Sequence, residues 1–410
     1  MAKYYKFDSG LTLLYESNTI NKSTSVEIYF DCGARVDGDL KGLAHFCEHM
    51  LFSGTNQLSK QEVAKRYFDF FNVNAYTGTE YIAFVGVIMT SRLGEYFKTV
   101  HDMITNSPFT KQSVEDEKKI VIQEIVENAD RYKNAAYYYK MKELFDLDYY
   151  KDGVLGTKQS VSQITSRDVK NYIKKYFVKN NCVISICTPL SFNKVKNIIR
   201  KHFDSIMPSN NLKPFKNNYE KAIEDEKICV NTKQIDKNFL TITFKNNRKG
   251  PDLKYRVILS VICNMIDDIS DGLTKDLRIN NSLIYSMYSD YLINFVNSYF
   301  ELNTEICTEN IKPCIDVIFD YIKNLRVNGF TQAQLDKEII KKEYYQQIRV
   351  ETPDNIRNIL PRYRFYGRFV NEKDINSIAR SLTLDEINQT MRELFDESKI
   401  QVFVYGDATK

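Results

Sequence analysis

The chain has 410 residues, 43% of them apolar and 27% charged, with a net charge of +4. That bounds it to roughly two to four globular domains with sizeable cores, and the interspersed lysines and acids exclude an extended basic groove for nucleic acid. No run of about 18 apolar residues occurs, so no membrane span is expected; the start "MAKYYKFDSG" has no leader pattern, and eight cysteines without a Cys-x-x-Cys pair argue against a thiolate zinc site and for a reducing cytoplasm.

The first patterned segment, "TSVEIYFDCG", alternates Val26, Ile28 and Phe30, as a half-buried strand does. "GLAHFCEHMLFSGT", residues 42 to 55, follows between Gly42 and Gly54 with strong helix formers inside. The chain has only four histidines, and two of them, His45 and His49, stand four apart with Glu48 between. On a helix such positions share a face, so both imidazoles can bind one metal ion. Glu48 lies on that face too, placed to take a proton from a metal-bound water. This is the inverted zinc-peptidase spacing His-x-x-Glu-His. Cys47, beside Glu48, is either an inert core thiol or a point where a bulky adduct would displace the helix.

"TEYIAFVGVIM" is rich in strand formers, while "LGEYFKTVHDMITN" and the long stretch 113–145 carry helical periodicity. A catalytic zinc site wants three protein ligands and one open position. His101 and His202 fall in ordinary amphipathic helices, so a carboxylate is the better third ligand. "SVEDEKKIVIQEIVEN" offers Glu115, Asp116, Glu117, Glu124 and Glu127. Glu117 and Glu124 are seven apart, two turns along one face. One can ligate while the other orients the shell behind it, and spacing alone does not say which.

"PSNNLKPFKNN", from Pro208, is a linker by composition. Beyond it "FLTITFK" and "SYFELNTEI" predict strands and "IKPCIDVIFDYIKNLR" a helix. The flanks repeat one another. Phe109 aligns with Phe330 and pairs Glu117 with Glu338, and the helix-strand segment from Ile164 matches that from Leu382. An offset near 220 puts the second copy of the histidine helix around "MIDDI", without a histidine. The expected division is therefore 1–207, a linker 208–222, and 223–410. Clustered strands and helices point to α+β halves with a largely antiparallel sheet.

"GARVDGDLKGLAHFCEHMLFSGT" resembles the pitrilysin-like zinc metallopeptidases, the inverzincin superfamily of insulin-degrading enzyme and mitochondrial processing peptidase. The length resembles the short bacterial processing-peptidase type. The resemblance implies two homologous α/β-sandwich halves, together half of a clamshell peptidase. It implies Glu124, 75 residues after His49, as the third zinc ligand, with Glu117 behind it as a supporting catalytic residue. From "NAYT" it implies that Asn74 and Ala75 bind the substrate backbone. From "LRINNSLIYS" it implies that Arg278 and Tyr285 bind substrate, Tyr285 as donor to the developing oxyanion. "NMIDDISDG" departs from the glycine-rich turn usual before that arginine. The function so implied is a zinc endopeptidase, one Zn2+ per chain, cutting peptides or leader sequences in a closed chamber with Glu48 as base. The assembly implied is a homodimer with shared active sites. The alternative is a non-catalytic peptide-binding or structural partner subunit of a peptidase complex.

Overall fold

In this computed structural model the structure describes residues 2–20, 22–129, 131–145, 153–208, 227–232, 237–245, 252–293, 298–351, 366, 370–396 and 400–407. Apart from Pro208, the expected linker 208–222 lies outside the described residues. The chain divides into two compact units. The first gathers residues 1–131, 148–215 and 347–369; the second gathers 132–147, 216–346 and 370–410.

The first unit is built on six strands: β1 (Ala2–Lys6), β2 (Thr12–Ser17), β3 (Ser23–Phe30), β4 (Asn72–Thr77), β5 (Ile82–Met89) and β6 (Cys182–Thr188). They lie in the order β1-β2-β6-β3-β5-β4. All neighbours are antiparallel except β2 and β6. Val26, Ile28 and Phe30 of β3 point into the main core, as their alternation predicts. The strand is not half-buried, however. Its other face is covered as well, with Ser25, Glu27 and Tyr29 all buried. A polar alternate position therefore did not mean a wet one: Glu27 Oε1 accepts from Tyr76 Oη at 3.1 Å.

Helices α1 (Leu43–Leu51), α2 (Lys60–Phe68), α3 (Leu93–Thr105) and α4 (Lys111–Ala129) follow the chain around this sheet. Phe46, Met50, Tyr67, Phe97 and Val121 bring their apolar faces into the same core. The helical stretch 113–145 is two helices, because α4 ends at Ala129 and α5 (Tyr132–Leu144) begins anew. α5 packs in the second unit, where buried Lys140 pairs with buried Glu301. The chain then returns to the first unit with α6 (Lys158–Gln163), α7 (Ser166–Tyr176) and α8 (Phe192–Phe203).

The second unit has strands β7 (Lys227–Thr232), β8 (Asn238–Lys245), β9 (Met287–Ile293), β10 (Ser298–Ile306) and β11 (Ile400–Gly406), in the order β7-β11-β8-β10-β9. This repeats β2-β6-β3-β5-β4 strand for strand, down to the parallel pair at β7/β11. The two halves therefore share one topology, and β1 is an additional edge strand. β8 begins 215 residues after β3, and β9 215 after β4. Equal intervals put Ser260 and Asn264 of α9 (Leu253–Asp267) opposite His45 and His49. These positions stand five residues before the "MIDDI" placement, whose offset near 220 was read further along the chain. Ser260 is engaged by Lys342 Nζ at 2.9 Å. None of the described helices is long and apolar enough to cross a membrane.

Candidate metal centre

The site grows from the way α1 is held. Gly42 caps it in the left-handed region at φ 86°, and a Cβ there would meet Leu155 O at 2.3 Å. Gly156, itself at φ 72°, presses just as closely on Lys41 O. Two glycines thus let the loop before α6 lie against the start of α1. Ser160 Oγ ties the contact by donating to Lys41 O at 2.6 Å. Asp37 accepts from the N–H groups of Gly42 and Ala44, both at 2.8 Å. These are two of the donors a helix start leaves unpaired. Burial pushes the Asp37 pKa up to about 7, against these amides, which lower it.

Held this way, α1 turns His45, Glu48 and His49 to one side, toward α4. Glu124 Oε2 lies 3.3 Å from His49 Nε2 and 3.7 Å from His45 Nε2. The ligand atoms of His45, His49 and Glu124 are all within 4.8 Å of one another. Glu117, one face-repeat earlier on α4, lies behind His49, with Oε1 3.0 Å from Nδ1. Structure thus separates the two acids that spacing left equivalent: Glu124 faces both imidazoles and Glu117 backs one of them.

Electrostatics follow from burial and pairing. Burial, then the neighbouring His49 charge, lowers the His45 pKa to about 4. Burial also lowers His49, but hydrogen bonds to Glu117 and Glu124 prevail and raise it to about 9. Burial raises the Glu48 pKa, opposed by the Thr77 hydroxyl and the His49 charge. That hydroxyl, at the end of β4, donates to Glu48 Oε2 at 2.7 Å. The Cys47 thiol is fully buried and pushed well above its ordinary value by desolvation, the setting of an unreactive core thiol.

Asn74 and Ala75 lie on β4, which forms an edge of the first sheet. The Ala75 N–H donates to Asn74 Oδ1 at 3.0 Å, and Asn74 O accepts from Tyr67 Oη at 2.8 Å. In the second unit Arg278 sits in a π-helical turn, Lys275–Asn280, its guanidinium 4.8 Å over the Tyr285 ring. Tyr285 is 80% exposed. His101 lies 2.7 Å from Ser205 Oγ, and neither it nor His202 belongs to a metal-ligating group among the described residues. Sequence reasoning missed Asp37, Lys60 and a role for Thr77. Lys60 reaches Glu117 Oε2 at 2.5 Å. No periodicity marks these residues, because each comes to the site from another element.

Residues 12–158 match the family model described as insulinase (peptidase family M16), and residues 163–341 that described as peptidase M16 inactive domain. The chain is 23% identical over 408 residues to the uncharacterized zinc protease YmxG of Bacillus subtilis, spanning 97% of this chain and 96% of that protein. It is 26% identical over 200 residues to the probable mitochondrial-processing peptidase subunit beta of Arabidopsis thaliana, spanning 48% of this chain and 38% of the relative. Among solved structures, a protease from Helicobacter pylori aligns at TM-score 0.87 and 16% identity over 99% of each chain. The periplasmic protease PqqL from Escherichia coli aligns at TM-score 0.83 and 13% identity, over 99% of this chain and 47% of that one.

Proposed function

The chain belongs to peptidase family M16, the insulinase family, and on that premise we propose that it is a zinc endopeptidase with one Zn2+ per chain. His45, His49 and Glu124 would hold the ion. The observation that carries this reading is their convergence, two imidazoles and one carboxylate within 4.8 Å of one another. Two imidazoles and a carboxylate match the donor set of a catalytic zinc, whose fourth position takes water or substrate. The 3.3 Å from His49 Nε2 to Glu124 Oε2 suits tetrahedral zinc, whose ligand atoms stand about 3.3 Å apart when bonds are near 2 Å. Bound zinc would polarise the scissile carbonyl and acidify the attacking water.

The chain's own groups do the rest. Glu48 takes the proton of the water and later passes it to the leaving amine. Its buried setting raises its basicity toward that task, and Thr77 fixes which oxygen is free. A peptide adding as a strand to the β4 edge would draw on the Ala75 N–H, displacing the Asn74 side chain that covers it. Arg278 and Tyr285 would bind the substrate, Tyr285 donating to the oxyanion. They would do so from the second chain of a homodimer in the reducing cytoplasm, closing a chamber around peptides or leader sequences. A non-catalytic partner subunit would have no need of a buried carboxylate beside the ligands, which favours the enzyme.

The test is cleavage of a mixed peptide library by the purified protein, with and without chelator, for wild type and Glu48→Gln. Wild type should cut only without chelator. Glu48→Gln should keep its zinc and lose at least about 100-fold in rate. Equal zinc with near wild-type cleavage would remove Glu48 from the role of base.

A further inference from the structure

We propose that Lys60 is a positioning residue of the metal centre, fixing the Glu117 carboxylate and, through it, the ring of His49. The inference rests on the zinc reading above.

Lys60 is the first residue of α2, and both ends of that helix are anchored. At the start, Ser59 Oγ accepts from Glu62 N at 3.3 Å, while Glu62 Oε2 accepts from Ser59 N at 2.8 Å. At the far end, Tyr67 Oη is bonded to β4 through Asn74 O. From this base the Lys60 ammonium reaches Glu117 Oε2 at 2.5 Å, while Glu117 Oε1 faces His49 Nδ1 at 3.0 Å. The carboxylate is used at both oxygens, one for the cation and one for the imidazole.

An exposed lysine-glutamate pair ordinarily contributes little, and the Lys60 side chain is 50% exposed. Its partner is different. The Glu117 side chain is 5% exposed, and these are its two hydrogen-bond partners among the described residues. Removing the cation would leave a buried carboxylate with a single anchor, free to turn about its own axis. Nδ1 of His49 would then lose a fixed acceptor, and the ring would be held from the Glu124 side alone. A carboxylate behind a ligating histidine sets both the tautomer and the direction of the ring. Lys60 adds the link that sets the carboxylate.

The test compares wild type, Lys60→Met, Lys60→Arg, Glu117→Gln and the Lys60→Met/Glu117→Gln double variant. Zinc affinity is read by competition with a chelator of known strength, and kcat and KM are read at saturating zinc. Lys60→Met keeps both halves of the Ser59/Glu62 cap, so metal-free thermal melting serves as the control for folding. The expected result is zinc bound about 10- to 100-fold more weakly by Lys60→Met, with KM unchanged. Lys60→Arg should recover most of the affinity, because a guanidinium also pairs with a carboxylate. In the Glu117→Gln background Lys60→Met should cost nothing further, since the effect passes through Glu117. Zinc affinity within twofold of wild type for Lys60→Met would overturn the proposal, as would an equal loss with and without Glu117. A wild type that binds no zinc would instead contradict the zinc reading itself.

Discussion

Burial sets the Glu48 carboxylate apart from a surface acid. Desolvation raises its proton affinity, and the Thr77 hydroxyl at 2.7 Å keeps that rise in check while aiming the carboxylate. Thr77→Val keeps the side-chain volume and removes the donor. It should lower kcat about 10-fold, as loss of an orienting partner does, with zinc content unchanged in metal analysis. A loss of zinc in parallel would mean that Thr77 supports the ligands instead. At this scale the sequence was legible where chemistry sits on one helix. His45, Glu48 and His49 could be read from spacing because an α-helix has a fixed period. Thr77 and Lys60 could not, because a strand and a second helix carry them in, and no local period records a tertiary approach. Glu117 and Glu124 were intermediate: their shared face was legible, and which one meets the imidazoles depended on the packing of α4 on α1.

Helix α1 is the element on which the site depends, and Asp37 is its least obvious support. The folded chain holds the Asp37 proton up to about pH 7, whereas the unfolded chain releases it near pH 4. Over that window the folded state binds more protons, so the unfolding free energy falls as pH rises, by at most about 1.4 kcal/mol per unit. Urea midpoints at pH 5 and pH 7.5 should show wild type losing stability relative to Asp37→Asn, whose side chain cannot ionise. A difference that stays constant would place the proton elsewhere. The elements themselves were largely legible. Alternation located β3, apolar periodicity located α3, and the internal repeat announced a shared topology that the strand orders bear out. The assignment of α5 to the second unit was not legible. Its periodicity continues that of α4 without a boundary signal, and only its tertiary contacts, the buried Lys140–Glu301 pair and the Tyr139 ring against Phe403 and Tyr405 among them, reveal where it packs.

At the scale of the whole molecule, one chain carries both the His45/His49/Glu124 cluster and the Arg278/Tyr285 pair, in separate units. If two copies share their sites, a Glu48→Gln chain mixed with an Arg278→Ala, Tyr285→Phe chain forms dimers with one fully defective and one intact site. With half of the dimers mixed, activity should recover to about a quarter of wild type by two-fold counting. Verified subunit exchange without recovery would show that each chain builds its own site. Titrating zinc into metal-stripped protein while following peptide cleavage tests whether the chain is a zinc peptidase working through His45, His49 and Glu124. Activity should rise linearly and saturate at about one zinc per chain, the stoichiometry of a site with three protein ligands and one open position. Cleavage that is complete before any zinc is added, or absent after one equivalent has bound, would contradict the zinc reading.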